Sequence, residues 1–201
     1  MANPSKTNTT VTTFYGGDSG QWEVLSIHSI HGESLKHVQK IEIVEAGEQP
    51  QHQSALWELC GFSSNIRYTT RSEKNELDKN PSVLSKPENT YASLIPIKKS
   101  EAWWSMTQDE RRQIFEESSG HIGYSMKYLS AISRKLYHCR DIGEEFDFLT
   151  WFEFAPEHSS LFDELVAYLR STEEWKYVCR EVDLRLIRTA IPANSPTIHF
   201  E

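Results

Sequence analysis

In residues 146–154 (FDFLTWFEF) the period of two of an extended chain puts Phe146, Phe148, Thr150, Phe152 and Phe154 on one face and Leu149 and Trp151 on the other. A strand apolar on both faces needs a layer on each side of its sheet, so this segment belongs inside a folded domain. Its phenylalanine-rich face reads either as plain core or as the wall of a flat aromatic cofactor. The strand before it adds a charge. Arg134, Leu136 and His138 share a face, and Lys135, Tyr137 and Cys139 share the other. Arg134 either begins the strand and reaches out to water or is a desolvated cation suited to an anionic, oxygen-rich ligand.

Around these strands the second half of the chain is patterned. Residues 91–97 read as a strand. Thr107-Gln-Asp-Glu110 is a capping box opening a helix that runs to about residue 129, with a break near Ser118-Ser119-Gly120. Residues 134–139 and 146–154 are strands joined by a turn containing Gly143. Ser160 caps a helix with an apolar stripe of Leu161, Leu165, Val166 and Leu169. Residues 175–188 form a closing strand. The order is β-α-β-β-α-β, which predicts an α+β, ferredoxin-like unit with an antiparallel sheet and both helices on one face. The first half is shorter on signals: residues 11–15, 21–30, 39–45 and 64–70 read as strands, and Ser72–Glu88 as an exposed helix or loop. This suggests a shortened N-terminal ferredoxin-like half over 1–90 as companion to a C-terminal half over 91–201.

Composition narrows the function classes. The chain has 201 residues, is 38% hydrophobic and carries six Trp and nine Phe, enough for a real core. With 21 Lys and Arg against 29 Asp and Glu, its net charge of −8 argues against nucleic-acid binding. Cys60, Cys139 and Cys179 have no CxxC spacing, so neither a disulfide framework nor a structural zinc site is expected. The N-terminal MANPSKTNTTVTT has no apolar run after its lysine, and no stretch approaches a membrane span. A cytoplasmic protein that does not engage a membrane is the expectation.

Several ordered segments resemble the chlorite dismutase family: Ala102-Trp103-Trp104-Ser105-Met106, Glu110-Arg111-Arg112, Arg134-Lys135-Leu136-Tyr137-His138, Phe148-Leu149-Thr150-Trp151-Phe152-Glu153 and Glu173-Glu174-Trp175-Lys176-Tyr177. The likeness covers about residues 91–190, and the short chain is similar to the family's compact, dimeric branch. The resemblance implies a dimeric α+β barrel, one haem b, and decomposition of chlorite to chloride and dioxygen with formation of an O–O bond. It implies His121 as the axial iron ligand, with His138 the rival on Arg134's side of the ring. It implies Glu174, or Glu173 one position earlier, as the carboxylate accepting from that histidine, and Arg134 as the distal catalytic arginine that also meets small anions. Leu136, Thr150 and Phe152 match pocket-lining positions. Lys99 and Trp104 match residues near the haem propionates and edge, Trp103 packs nearby, and Tyr68 resembles a propionate-side tyrosine. Two other functions are open to such a chain: a coproheme decarboxylase of haem synthesis, which lacks the distal arginine, and a haem-binding or stress-response protein with incidental chlorite activity.

Overall fold

The computed structural model describes residues 11–51, 54–63, 69–79 and 82–189. Within these, the strands are β1 (Val11–Gly17), β2 (Trp22–His31), β3 (Lys40–Glu45), β4 (Trp57–Phe62), β5 (Tyr91–Lys99), β6 (Ile132–His138), β7 (Phe148–Phe154) and β8 (Val178–Arg188). They close into a barrel in the order β1-β3-β2-β8-β5-β7-β6-β4, with every pairing antiparallel. The helices are α1 (Arg71–Lys79), α2 (Glu101–Trp104), α3 (Gln108–Arg112), α4 (His121–Ser125) and α5 (Ser159–Arg170).

Alternation along the strands separates two cores. Phe14, Trp22, Ile41, Leu59, Leu94, Tyr137, Leu149, Trp151, Leu184 and Leu186 come from all eight strands and fill the barrel interior. On the outside, Ile95 and Ile97 of β5, Ile132 of β6 and Phe152 and Phe154 of β7 pack against Phe162, Leu165, Val166 and Leu169 of α5, and Trp175. The two-faced strand is therefore β7, with Leu149 and Trp151 inside the barrel and Phe152 and Phe154 under α5. Phe146 departs from the alternation: it precedes β7 and joins the interior core, with the Arg180 guanidinium 4.4 Å over its ring.

The elements depart from the sequence pattern at four other places. The fourth strand is Trp57–Phe62, a mixed segment with weak alternation; of the strand expected at 64–70, Thr69 and Thr70 lie in a loop leading into α1, and 64–68 lie outside the described residues. The long helix expected up to residue 129 is divided into α3, a π-helical turn at Gln113–Ser118, α4 and a 3₁₀ turn at Met126–Tyr128. Gly120 makes the division, with φ 59° and ψ 31°, a left-handed geometry that costs an L-residue energy. The α5 helix begins at Ser159, whose hydroxyl donates to the Pro156 carbonyl, rather than being capped by Ser160. Finally, Glu174–Tyr177 form a 3₁₀ turn before β8 starts at Val178.

Candidate functional site

A cavity of about 570 Å³ lies on the outer flank of β5, β7 and β6, bounded by α4, α5 and the 3₁₀ turn carrying Glu174. Period-two alternation lines it. Ile95, Ile97 and Lys99 come from β5, Phe148, Thr150 and Phe152 from β7, and Arg134, Leu136 and His138 from β6. The helical side contributes Trp103, Phe115, His121, Ile122, Leu165, Val166 and Leu169. The walls are broad and mostly apolar.

His121 opens α4 directly after the left-handed Gly120. The Glu116 carboxylate accepts the next two amides of that helix, from Ile122 at 2.6 Å and Gly123 at 3.1 Å, fixing the turn on which the imidazole stands. The ring stacks on Phe115 at 4.3 Å between centroids. Its Nδ1 lies 2.7 Å from Glu174 Oε2, and the other carboxylate oxygen accepts from Lys99 Nζ, also at 2.7 Å. Glu174 and Lys99 are almost fully buried, whereas the histidine side chain is 19% exposed. The Glu174 amide in turn donates to Ser119 Oγ at 3.0 Å. Burial alone would raise the Glu174 carboxyl, but His121 and Lys99, by charge and hydrogen bonding, hold it at about 2. The carboxylate is therefore ionised at ordinary pH, Nδ1 is engaged, and His121 Nε2 has no partner among the described residues.

Arg134 sits on the β6 part of the wall, half-buried, its guanidinium without a hydrogen-bond or ion-pair partner among the described residues. Desolvation lowers its pKa, yet an arginine stays protonated. An unpaired, partly desolvated cation is costly unless an anion arrives. His138, on the same face, is edge-on to Phe148 at 5.5 Å.

Of the residues singled out in the sequence, His121, Glu174, Arg134, Lys99, Trp103, Leu136, Thr150 and Phe152 come together around this cavity. The histidine's partner is Glu174, while Glu173 faces outward and pairs with Lys176 at 2.6 Å. Lys99 lines the cavity, but its ammonium is committed to Glu174 and stands 4.6 Å from the Trp103 ring centroid. The Trp103 indole N–H is buried with no partner among the described residues. Trp104 stands behind the wall rather than on it. Its indole donates to Asp147 at 3.0 Å, and its ring stacks on Phe148 with the Arg140 guanidinium 4.2 Å from its centroid. Tyr68 lies outside the described residues. Sequence reasoning missed Ile95 and Ile97, which the alternation Ile95-Ile97-Lys99 would have found, and Phe115, for which no period gave a signal.

Fold and site together define an α+β barrel protein whose flank cavity offers one carboxylate-anchored imidazole and one unpaired guanidinium. Residues 26–189 match the family model for chlorite dismutase, and the chain belongs to that family. A chlorite dismutase of Ideonella dechloratans is 28% identical over 124 residues, which span 61% of this chain and 41% of that protein. The crystal structure of dimeric chlorite dismutases from Nitrobacter winogradskyi is 55% identical, covers 89% of this chain and 99% of its own, and superposes with a TM-score of 0.82. A mutant chlorite dismutase from Candidatus Nitrospira defluvii, 20% identical with a TM-score of 0.67 over 91% of this chain and 93% of its own, shares the fold. Among the described residues, no helix is long and apolar enough to cross a membrane.

Proposed function

We propose that this chain binds one haem b in the flank cavity and decomposes chlorite to chloride and dioxygen, His121 holding the iron and Arg134 the anion. The observation that carries the reading is the pairing of His121 with Glu174 at 2.7 Å on the wall of a large apolar cavity that also presents an unpaired arginine. A macrocycle that brings most of its metal's ligands needs one further donor, a flat apolar slot and polar atoms at its rim. His121 Nε2, the walls of Ile95, Ile97, Phe148 and Phe152, and the orphaned Trp103 N–H supply these.

When bound, the haem supplies the redox-active iron at which the Cl–O bonds are broken. The protein's part is placement and charge. Glu174 accepts from Nδ1, which fixes the tautomer that leaves Nε2 as a donor and makes the imidazole a stronger ligand. Lys99 keeps Glu174 ionised and fixed. Arg134 binds chlorite and keeps each chlorine oxyanion close by charge-assisted hydrogen bonds until dioxygen and chloride leave. Thr150, Leu136 and Phe152 shape the space around the anion, and the apolar walls strengthen the arginine's field by lowering the local dielectric. No proton needs to move, because both oxygens of chlorite end in dioxygen.

The 55% identity to a dimeric relative supports a homodimer of the compact type. The β8-β5-β7-β6 order, with both helical segments outside, supports reading 91–201 as a ferredoxin-like unit and 1–90 as its shortened counterpart. The test is an oxygen electrode: haem-loaded protein should release one dioxygen per chlorite consumed. Haem-loaded protein that consumes no chlorite, or consumes it without dioxygen, overturns the reading.

A further inference from the structure

On one side, β6 pairs with β7 along its whole length, from Ile132↔Phe154 to His138↔Phe148. On the other, β4 reaches it among the described residues only at Phe62↔His138. In an antiparallel strand the N–H and C=O of one residue point to the same side. Those of Arg134 face away from β7, where Ser82 meets both. Among the described residues, one side chain meets both groups. Ser82 Oγ accepts the Arg134 N–H at 2.5 Å and donates to the Arg134 carbonyl at 2.8 Å. A hydroxyl has one donor and two acceptor lone pairs, so it can serve both backbone groups of one residue.

The serine is itself held. Ser133 Oγ donates to the Val83 carbonyl at 2.6 Å, and the Ser85 N–H donates to Glu153 Oε2 at 2.5 Å, with Ser85 at φ 62°. Glu153 is buried inside the barrel wall and also pairs with Arg188. Segment 82–85 is thus clipped to β6 at the arginine that lines the cavity.

We propose that Ser82 is a positioning residue for Arg134. By fixing the arginine's backbone, it fixes the direction in which a long, otherwise unpartnered side chain leaves the strand. The inference rests on the reading of Arg134 as the anion-holding group. A misplacement of about 1 Å at such a group can cost on the order of 100-fold in rate.

The test uses Ser82→Ala, Ser82→Thr and Arg134→Ala, singly and as the Ser82→Ala/Arg134→Ala double variant. In haem-free protein, amide exchange at Arg134 should quicken roughly tenfold in Ser82→Ala, the worth of one or two backbone bonds, and return toward wild type in Ser82→Thr. In haem-loaded protein, Ser82→Ala should release more hypochlorite per chlorite and bleach sooner, and Ser82→Thr should restore both. In the Arg134→Ala background, adding Ser82→Ala should change neither. If Arg134→Ala is impaired while Ser82→Ala matches wild type in exchange and hypochlorite release, water replaces the hydroxyl and the inference about Ser82 fails alone. Equal effects of Ser82→Ala with and without Arg134 would make the serine merely structural and also overturn it. If Arg134→Ala itself is unimpaired, the underlying reading of Arg134 fails first.

Discussion

At the scale of single residues, the chemistry is divided between two side chains of opposite situation. The carboxylate of Glu174 is engaged at both oxygens, by His121 and Lys99, and the backbone amide of the same residue donates to Ser119. The guanidinium of Arg134 has no partner among the described residues. A group engaged in this way holds a ligand in place, whereas an unpaired cation waits for one. Glu174→Gln keeps the volume but loses the charge, leaving Lys99 buried beside a neutral amide. Haem retention should fall roughly tenfold or more, the usual cost of losing the carboxylate behind a metal-bound histidine. Transfer of haem to a competing apoprotein measures it, and an unchanged transfer rate would remove Glu174 from ligand support.

At the scale of elements, α1 shows how a segment with no buried residue is kept in place. Arg112 Nη1 and Nη2 donate to Glu73 Oε2 at 2.9 Å and Oε1 at 2.7 Å, a two-pronged pair between α3 and α1, whose Leu77 and Asp78 border the cavity. The Arg112 hydrogen bonds and the local Thr70 bonds hold the Glu73 carboxyl at about 2, against an ordinary value of 4.5. Because the folded value is depressed, the pair's contribution is present in full above about 4.5. It declines as pH falls below that and is gone once pH passes through about 2. Carbon-detected titration of the Glu73 carboxyl should give a midpoint near 2, and a clearly higher one in Arg112→Ala, where only the Thr70 bonds remain; a midpoint near 4.5 in the wild type would mean α1 is not tied down this way.

Legibility in the sequence also divides by element. The strands β5 to β8 are readable because their segments are rich in aliphatic and aromatic residues, and the arginine and glutamate of the site lie in ordered family segments, the histidine between two of them. The strand at Trp57–Phe62 was not, since its Trp57, Glu58 and Gly61 break any period. Phe146 was misassigned because alternation cannot report where a strand starts. The role of Lys99 depends on the 3₁₀ turn that swings Glu174 against it, a contact 75 residues apart that no local pattern encodes.

At the scale of the whole molecule, the barrel closes through the β4–β6 junction, where the two strands share one pair among the described residues. Gly61 permits the approach: a Cβ there would sit 2.7 Å from Tyr137 Cβ and 2.9 Å from Cys139 Sγ. Tyr137 and Cys139 are both buried in the interior core and cannot step aside cheaply. Gly61→Ala should therefore destabilise by about 1–3 kcal/mol, lowering Tm by several degrees in a scanning experiment; an unchanged Tm would show the junction to be slack. The barrel is the rigid frame that holds β5, β6 and β7 edge to edge, and so sets imidazole and guanidinium on different walls of one cavity. The most direct check on that arrangement is haem titration of wild type, His121→Ala and His138→Ala, followed by the Soret band. Wild type and His138→Ala should saturate at one haem per chain with the same histidine-ligated spectrum, and His121→Ala should not form it. A wild-type spectrum in His121→Ala, lost instead in His138→Ala, would put the iron on the arginine's strand and contradict the account.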